Sequence, residues 1–532
     1  MDKNKARITA VAITIAVIVG ILAAITLGLY AIRPLGVLHG TVMFFYLHPV
    51  LTIGLGMVGV AFLAALFNIA ENFAVTVSAW LFGIIGVLVA LTGMVFQHAW
   101  NAEALYATSD YKAVTTLPEG GVVRVMPKEV ADQIVNNNFS SSTETLRNSH
   151  IVRERDGQLH WTYEQAPNGM WRSITQNTAG AVSITASEVN GDTVNYEQKF
   201  DVGPSMRYSD GIRWRVYKKH YLANVTEIFA IPVGENEVLF AAPYVKYKGF
   251  LKKSPYFAGV VLVHHDGRIE DLTPEQAAKN SILAESGRLF PEKLARQIHD
   301  AYAYNGGILN KWFAKQDVTQ IPDPDENNSQ PYLLSFGDSL KWVSVAEPAS
   351  KEGAVKAVFL TDAVDGKTEI WRVNKSQSFA GPRRALDAAA GRNYEGIVFG
   401  SGRGKFKAAE PRPVFYDNRL HYLISIIPST RTEVTKSVIV DADKNRVVAV
   451  FNHDTDPEAT DKLLESLESG KLPEKSVPDS VEDLGENATI AEQLEALLAE
   501  ERADAAEDQK RLQRLEALTK QLREQEAGVS GQ

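Results

Sequence analysis

Apolar residues are unevenly distributed along this chain: three long runs fill the first hundred positions, and short alternating runs fill most of the rest. Ile8 to Ala31 carries no charge, a second run extends from about Thr41 to Phe67, and a third from about Thr76 to Phe96. At roughly 1.5 Å of rise per residue, about 20 apolar residues cross the hydrocarbon core of a bilayer. The pattern predicts a three-helix transmembrane anchor over residues 1–100. The first run is too long for the apolar core of a signal peptide, and two more follow it, which predicts a retained helix. Lys3, Lys5 and Arg7 precede the first run, Arg33 is the only basic residue before the second, and the loop around Glu71 carries none. Basic flanks favour the cytoplasmic side, so the N-terminus is expected inside and everything after His98 outside the cell membrane. Trp80 and Trp100 fall near the two ends of the third run, where interfacial aromatics belong.

From about Asn101 to His453 the period shortens to alternation punctuated by turns. Hairpins are predicted over 151–163, turning at Asp156-Gly157, and over 259–272, turning at Asp266-Gly267. Two more are predicted over 355–373, turning at Asp365-Gly366, and over 434–451, turning at Asp443 to Asn445. Asp-Gly between alternating residues signals a hairpin because both central residues need positive φ. Asn190-Gly191 marks another such turn. Thr273-Pro274-Glu275-Gln276 combines an N-cap, an N1 proline and a capping-box glutamine, and predicts a helix running toward Ala284. Further helices are predicted over 291–304 and 383–390. Hairpins grouped apart from helices imply an α+β body rich in antiparallel sheet. Its expected division is an extracytoplasmic domain at 101–340 and a second, hairpin-rich one at 341–455.

Charge changes the picture at the C-terminus. A short helix is expected over 457–468, within an acidic linker at 456–486, followed by a charged helical tail at 487–532. Ile490, Leu494 and Leu497 begin one apolar seam of that tail, and Leu512, Leu515, Leu518 and Leu522 form another. Glu501, Asp504 and Asp508 interrupt the stripe between them, so two contact patches for self-association or a partner are expected instead of one continuous coiled coil. The net charge of −9 argues against a nucleic-acid partner. With no cysteine in the chain, disulfides, thiolate metal sites and cysteine nucleophiles are excluded.

No residue pattern identifies a catalytic or metal site. Asp441-Ala-Asp443-Lys-Asn445 begins like a calcium loop, but Arg446 stands where glycine is needed and Asn452 where glutamate is needed. His264-His265 point to opposite faces of a strand, and His453, Asp454 and Asp456 make a small polar cluster where the body ends. No serine-elbow or His-Glu-x-x-His motif is present. Aromatic and basic residues concentrate between Arg213 and Lys253. Strand alternation there would put Trp214, Tyr217, Lys218, Tyr221, Tyr244 and Tyr247 on a face for a partner protein, glycan or lipid headgroup. His39, His48 and His98 lie in or beside the apolar runs, where polar groups are costly and therefore functional candidates. The predicted topology puts His39 and His98 at one depth.

Two local resemblances extend this reading. His39-Gly40-Thr41-Val42-Met43-Phe44-Phe45 resembles the His-Gly-x-x-Met-x-Phe stretch on a haem-ligating helix of haem–copper oxidase subunit I. That resemblance implies haem b held by His39, with His98 as the facing ligand; the remaining helices and copper ligands of that family are missing here. The hairpins starting at Lys356 and Lys436 resemble those of PepSY-type domains, extracytoplasmic modules that bind or inhibit peptidases or sense ligands. The expectation is a multi-pass membrane protein whose outer body binds envelope proteins or peptides, more a scaffold or regulator than a catalyst. The alternatives are a haem b redox component and an envelope enzyme of unrecognised type.

Overall fold

The computed structural model describes residues 3–473 apart from 68–72, 119–120, 122–123, 155–156, 235, 325–327, 338, 350–352 and 375–376. The charged tail expected at 487–532 lies outside the described residues, as does the linker from 474 onward. Helix α1 (Lys3–Ile32) ends where Pro34 removes a backbone donor and Gly36 takes a left-handed φ of 83°. The chain turns there by 110° into α2 (Val37–Leu47). His48-Pro49 breaks the helix again, and α3 (Pro49–Phe67) and α4 (Phe73–Thr108) follow. Among the described residues α4 is long and apolar enough to cross a membrane, and α1 with α2 provides a second span if the bent pair counts as one. The expected count of three therefore becomes one or two by length and composition. His48-Pro49 divides the second apolar run, and α3 begins at its proline.

Helices α3 and α4 pack antiparallel through small residues. A Cβ on Gly54 would strike the backbone of Ala90, one on Gly93 the backbone of Leu51, and one on Gly86 would lie 2.8 Å from Met57 Cβ. Close backbone approach of this kind replaces the hydrophobic drive that helices lack in lipid. Gly56 and Gly59 of α3, by contrast, have open space around them. Above this contact a polar clasp forms around Gln97, whose side chain is fully buried. Gln97 Oε1 accepts from Val50 N (3.4 Å), one of the orphan donors of α3, while its Nε2 donates to Leu251 O (2.7 Å). Asn101 donates to Leu47 O (3.2 Å) and accepts from Lys253 N (2.8 Å).

Beyond the clasp α4 runs into an α+β body of four largely antiparallel sheets. A four-stranded meander (144–153, 159–167, 178–185, 193–200) contains the hairpin turning at Gly157 and the one turning at Asn190-Gly191. The second sheet centres on 238–248 and 254–263, and the third joins 319–372 to a parallel strand at 111–114. The fourth is a meander (406–416, 419–428, 436–441, 446–452) flanked by helices Pro382–Gly391 and Ala459–Ser469. The two hairpins that resemble PepSY modules thus lie in different sheets. A boundary at 340 would cut the hairpin in which 332–336 pairs with 339–348, so the third sheet belongs to both expected domains. Likewise, the helix expected at 457–468 is Ala459–Ser469, and it buries Leu463 and Leu467 in the body's core instead of standing in a linker. The Thr273 capping box forms, but its helix stops at Ala277 and a second begins after Asn280.

A buried ionic group locks these sheets together. Glu410 sits at a bulge with φ 48° and accepts from Arg124 Nη2 (2.7 Å), Lys128 N (2.9 Å) and Asn328 Nδ2 (2.9 Å). Arg412 donates to the carbonyls of Arg124 (2.6 Å) and Val125 (2.9 Å), and the Arg124 guanidinium lies 5.0 Å from the Trp161 ring and 5.5 Å from Tyr332. The arginines and Glu410 are almost wholly buried. Removing one partner of such a pair strands the other charge, at a cost of about 3–5 kcal/mol. Glu410→Ala is expected to lower stability by that amount in denaturant titrations of the detergent-solubilised protein, while Glu465→Ala, on the exposed face of helix Ala459–Ser469, leaves it within about 0.5 kcal/mol.

Candidate functional site

A functional candidate lies at the seam between α2 and the body. Positions 36, 39/40, 43 and 47 recur at helical spacing, so α2 turns Gly36, His39, Gly40, Met43 and Leu47 to one side. That side walls a cavity of about 640 Å³. The facing wall comes from the loop Gly169 to Ser173, the loop Pro204 to Gly211, and a helix spanning Ile212–Lys219. Its basic lining residues are Arg147, Arg207 and Arg213, with His39 on the α2 side; among the described residues no aspartate or glutamate lines it. Its apolar lining is Pro34, Met43, Leu47, Met170, Met206 and Trp214.

The walls are held rigidly. Arg213 Nη1 donates to Val225 O (2.6 Å), and Gly203 N donates to Asp210 O (3.0 Å), closing the loop that carries Arg207. Behind the wall Glu164, 1% exposed, accepts from Ser205 N (2.8 Å), Ser205 Oγ (2.6 Å), Thr178 Oγ1 (3.0 Å) and Asn148 Nδ2 (2.5 Å). Burial pushes its carboxyl up from the usual glutamate value, and these hydrogen bonds oppose that rise. Its acceptors are thus engaged with the residues that shape the cavity. Arg33, at the end of α1, lies 5.5 Å from the Trp214 ring and adds another cation beside the seam.

The sequence-derived candidates divide among three settings. The 213–221 stretch begins as a helix, not a strand, because Ile212 and Val216 make a one-sided apolar spacing of four against the core. Trp214 and Tyr217 consequently line the cavity together. Tyr217 stacks on His39 at 3.4 Å, Tyr221 meets that ring edge-on at 5.5 Å, and Tyr247 meets Tyr46 at 6.1 Å. Tyr244 points inward, donating to Asp271 (3.0 Å), and Lys218 is exposed to solvent. His39 Nε2 lies 3.2 Å from Ala223 O, whereas His98 is exposed on α4. Arg147, Arg207 and Met206 carried no sequence signal, because two segments far apart in the chain bring them to one cavity.

Other polar clusters serve the fold. His299 is sealed between Ser344 Oγ and Thr361 Oγ1, each at 2.8 Å, and burial pushes it down to about 3, so it is a neutral core histidine. His453 bonds Ser437 Oγ at 2.9 Å, while Asp456 takes Lys462 at 2.9 Å. Asp441 accepts from Asp443 N at 2.7 Å, a turn geometry. His150, Glu227 and Glu292 have ligand atoms close enough to share a metal, but Arg288 Nη2 already lies 3.3–3.4 Å from all three. The Arg288 guanidinium, packed between Phe229 (4.7 Å) and Trp342 (4.9 Å), is the cation of that group.

Burial and the charge of Glu227 push Glu292 up to about 7, from an ordinary 4.5. The folded protein therefore holds a proton that the unfolded chain releases, so this group makes stability fall as pH rises from about 4.5 to about 7. The 32% exposure of its side chain makes the effect smaller than for an enclosed carboxyl. Glu292→Gln is expected to flatten that part of the stability–pH curve, measured by thermal unfolding in detergent. No family model and no curated protein matches the chain.

Proposed function

We propose that this chain is a multi-pass, membrane-anchored binding protein that takes its ligand at the seam between α2 and the outer body. The observation that carries the reading is a cavity with one wall from the apolar N-terminal segment and the other from the body. In this reading α1, α3 and α4 cross the bilayer, α2 lies near its outer surface, the N-terminus is cytoplasmic and the body is extracytoplasmic. Exposed apolar side chains at one level support it: Trp171 is 75% exposed, Phe250 74% and Phe313 75%. Each belongs to a segment beside the membrane helices. Met170 shares the cavity with α2, Leu251 O accepts from Gln97 of α4, and Trp312 packs on Phe96 of α4 at 5.0 Å. Apolar side chains at that depth meet lipid instead of water.

A haem reading has no comparable support. His39 is stacked on Tyr217 and engaged with Ala223 O, so ligation would require it to leave both. The detergent-purified protein is expected to show no Soret band, and a band abolished by His39→Ala would favour the redox alternative.

The binding reading is tested by placing the photocrosslinker benzoylphenylalanine at Met170 or Trp214 in native membranes, with Val398 as an exposed reference. Mass-resolved adducts are expected from the first two positions above the level at Val398. Equal, background-level adducts at all three would overturn the assignment. Because the chain lacks cysteine, Trp171→Cys, Phe250→Cys and Phe313→Cys can each carry one spin label. Oxygen is expected to relax these labels more than an aqueous nickel chelate does, with the reverse at Val398→Cys.

A further inference from the structure

We propose that the seam cavity binds the anionic headgroup of a membrane lipid, with the acyl part left in the bilayer beside α2; this rests on the binding reading above. The charge of the lining is the first observation. The chain as a whole is acidic, at −9, yet Arg147, Arg207 and Arg213 line this cavity with no carboxylate among the lining residues. Asp210, beside the cavity, is paired with Arg215 at 3.6 Å, and buried Glu164 is held by Ser205, Thr178 and Asn148. Three arginines lining one space suit a phosphate, whose oxygens accept paired N–H donors.

The shape of the lining is the second observation. Met43 and Leu47 of α2 lie on the membrane wall and Met170 on the body wall, and Trp171, adjacent to Met170, is 75% exposed. A soluble phosphate has no use for this apolar margin, whereas an amphiphile uses both halves. Methionines suit a variable chain because they are flexible and polarisable. The third observation is location. The cavity is walled by a helix that follows α1 directly, so a lipid reaches it sideways without its tail crossing water.

The test uses the full-length protein in neutral detergent and native mass spectrometry, with phosphatidylglycerol, phosphatidylcholine and inorganic phosphate as probes. Phosphatidylglycerol is expected to be retained about tenfold more strongly than phosphatidylcholine, and millimolar inorganic phosphate is expected not to displace it. Arg147→Gln with Arg207→Gln is expected to erase the preference, and Arg147→Lys with Arg207→Lys to keep most of it. Equal retention of the two lipids by the unaltered protein would overturn the anionic class, whatever the variants do. Full displacement by inorganic phosphate would overturn the lipid source in favour of a soluble anion. Gly40→Trp separates the underlying reading, since Gly40 lines the cavity and a Cβ there meets no atom within 4 Å. If Gly40→Trp leaves both the Met170 crosslinks and lipid retention unchanged, the cavity itself is not the site. If it abolishes the crosslinks while lipid retention shows no charge preference, the cavity stands and the headgroup assignment falls.

Discussion

Helix α4 is one continuous hydrogen-bonded rod from Phe73 to Thr108, and the geometry of the molecule depends on that continuity. Its 36 residues reach about 54 Å, well beyond the roughly 30 Å of a bilayer core. The N-terminal part packs on α3 through Gly86, Ala90 and Gly93. The C-terminal part buries Ala99 and Leu105 in the body, with Tyr106 stacked on Tyr111. A hinge at the boundary would let the body turn relative to the apolar helices. No hinge is present in α4, and the Gln97–Asn101 clasp adds bonds to α2, α3 and the 251–253 loop at that level. The apolar helices and the body are consequently held in one fixed arrangement around the seam cavity.

The same rigidity gives the seam its chemistry. α2 contributes one face to the cavity because the Arg33–Gly36 turn redirects the chain beneath the body. His39, the most conspicuous polar residue of the apolar segment, is used there as a packing and hydrogen-bonding group against Tyr217 and Ala223. Its role is to join anchor to body. Of the arginines that line the same cavity, Arg213 also donates to Val225 O and so joins the wall to the neighbouring strand.

Local chemistry made much of the fold legible. The turns at Gly157, Gly267 and Gly366 lie where the Asp-Gly pairs marked them, although the glycine takes the positive φ and Asp266 and Asp365 do not, and the Thr273 capping box forms as spelled. The 213–221 stretch was harder, because its aromatic and basic residues fit a strand face as well as a short helix; packing of Ile212 and Val216 decided it. The domain boundary at 340 failed because no local signal reports that a hairpin completes a sheet begun at 111–114.

By itself the sequence determined the apolar N-terminal segment, the hairpin turns and the α+β class, since each depends on residues adjacent in the chain or on period. It also marked Trp214, Tyr217 and His39 as candidates, though without joining them. Only the tertiary structure decided that α2 faces the body, that Arg147, Arg207 and Arg213 converge without a carboxylate, and that Arg288 fills the His150–Glu227–Glu292 group. Those outcomes depend on contacts between residues tens to hundreds of positions apart, where neither propensity nor spacing carries information and packing alone selects the partners.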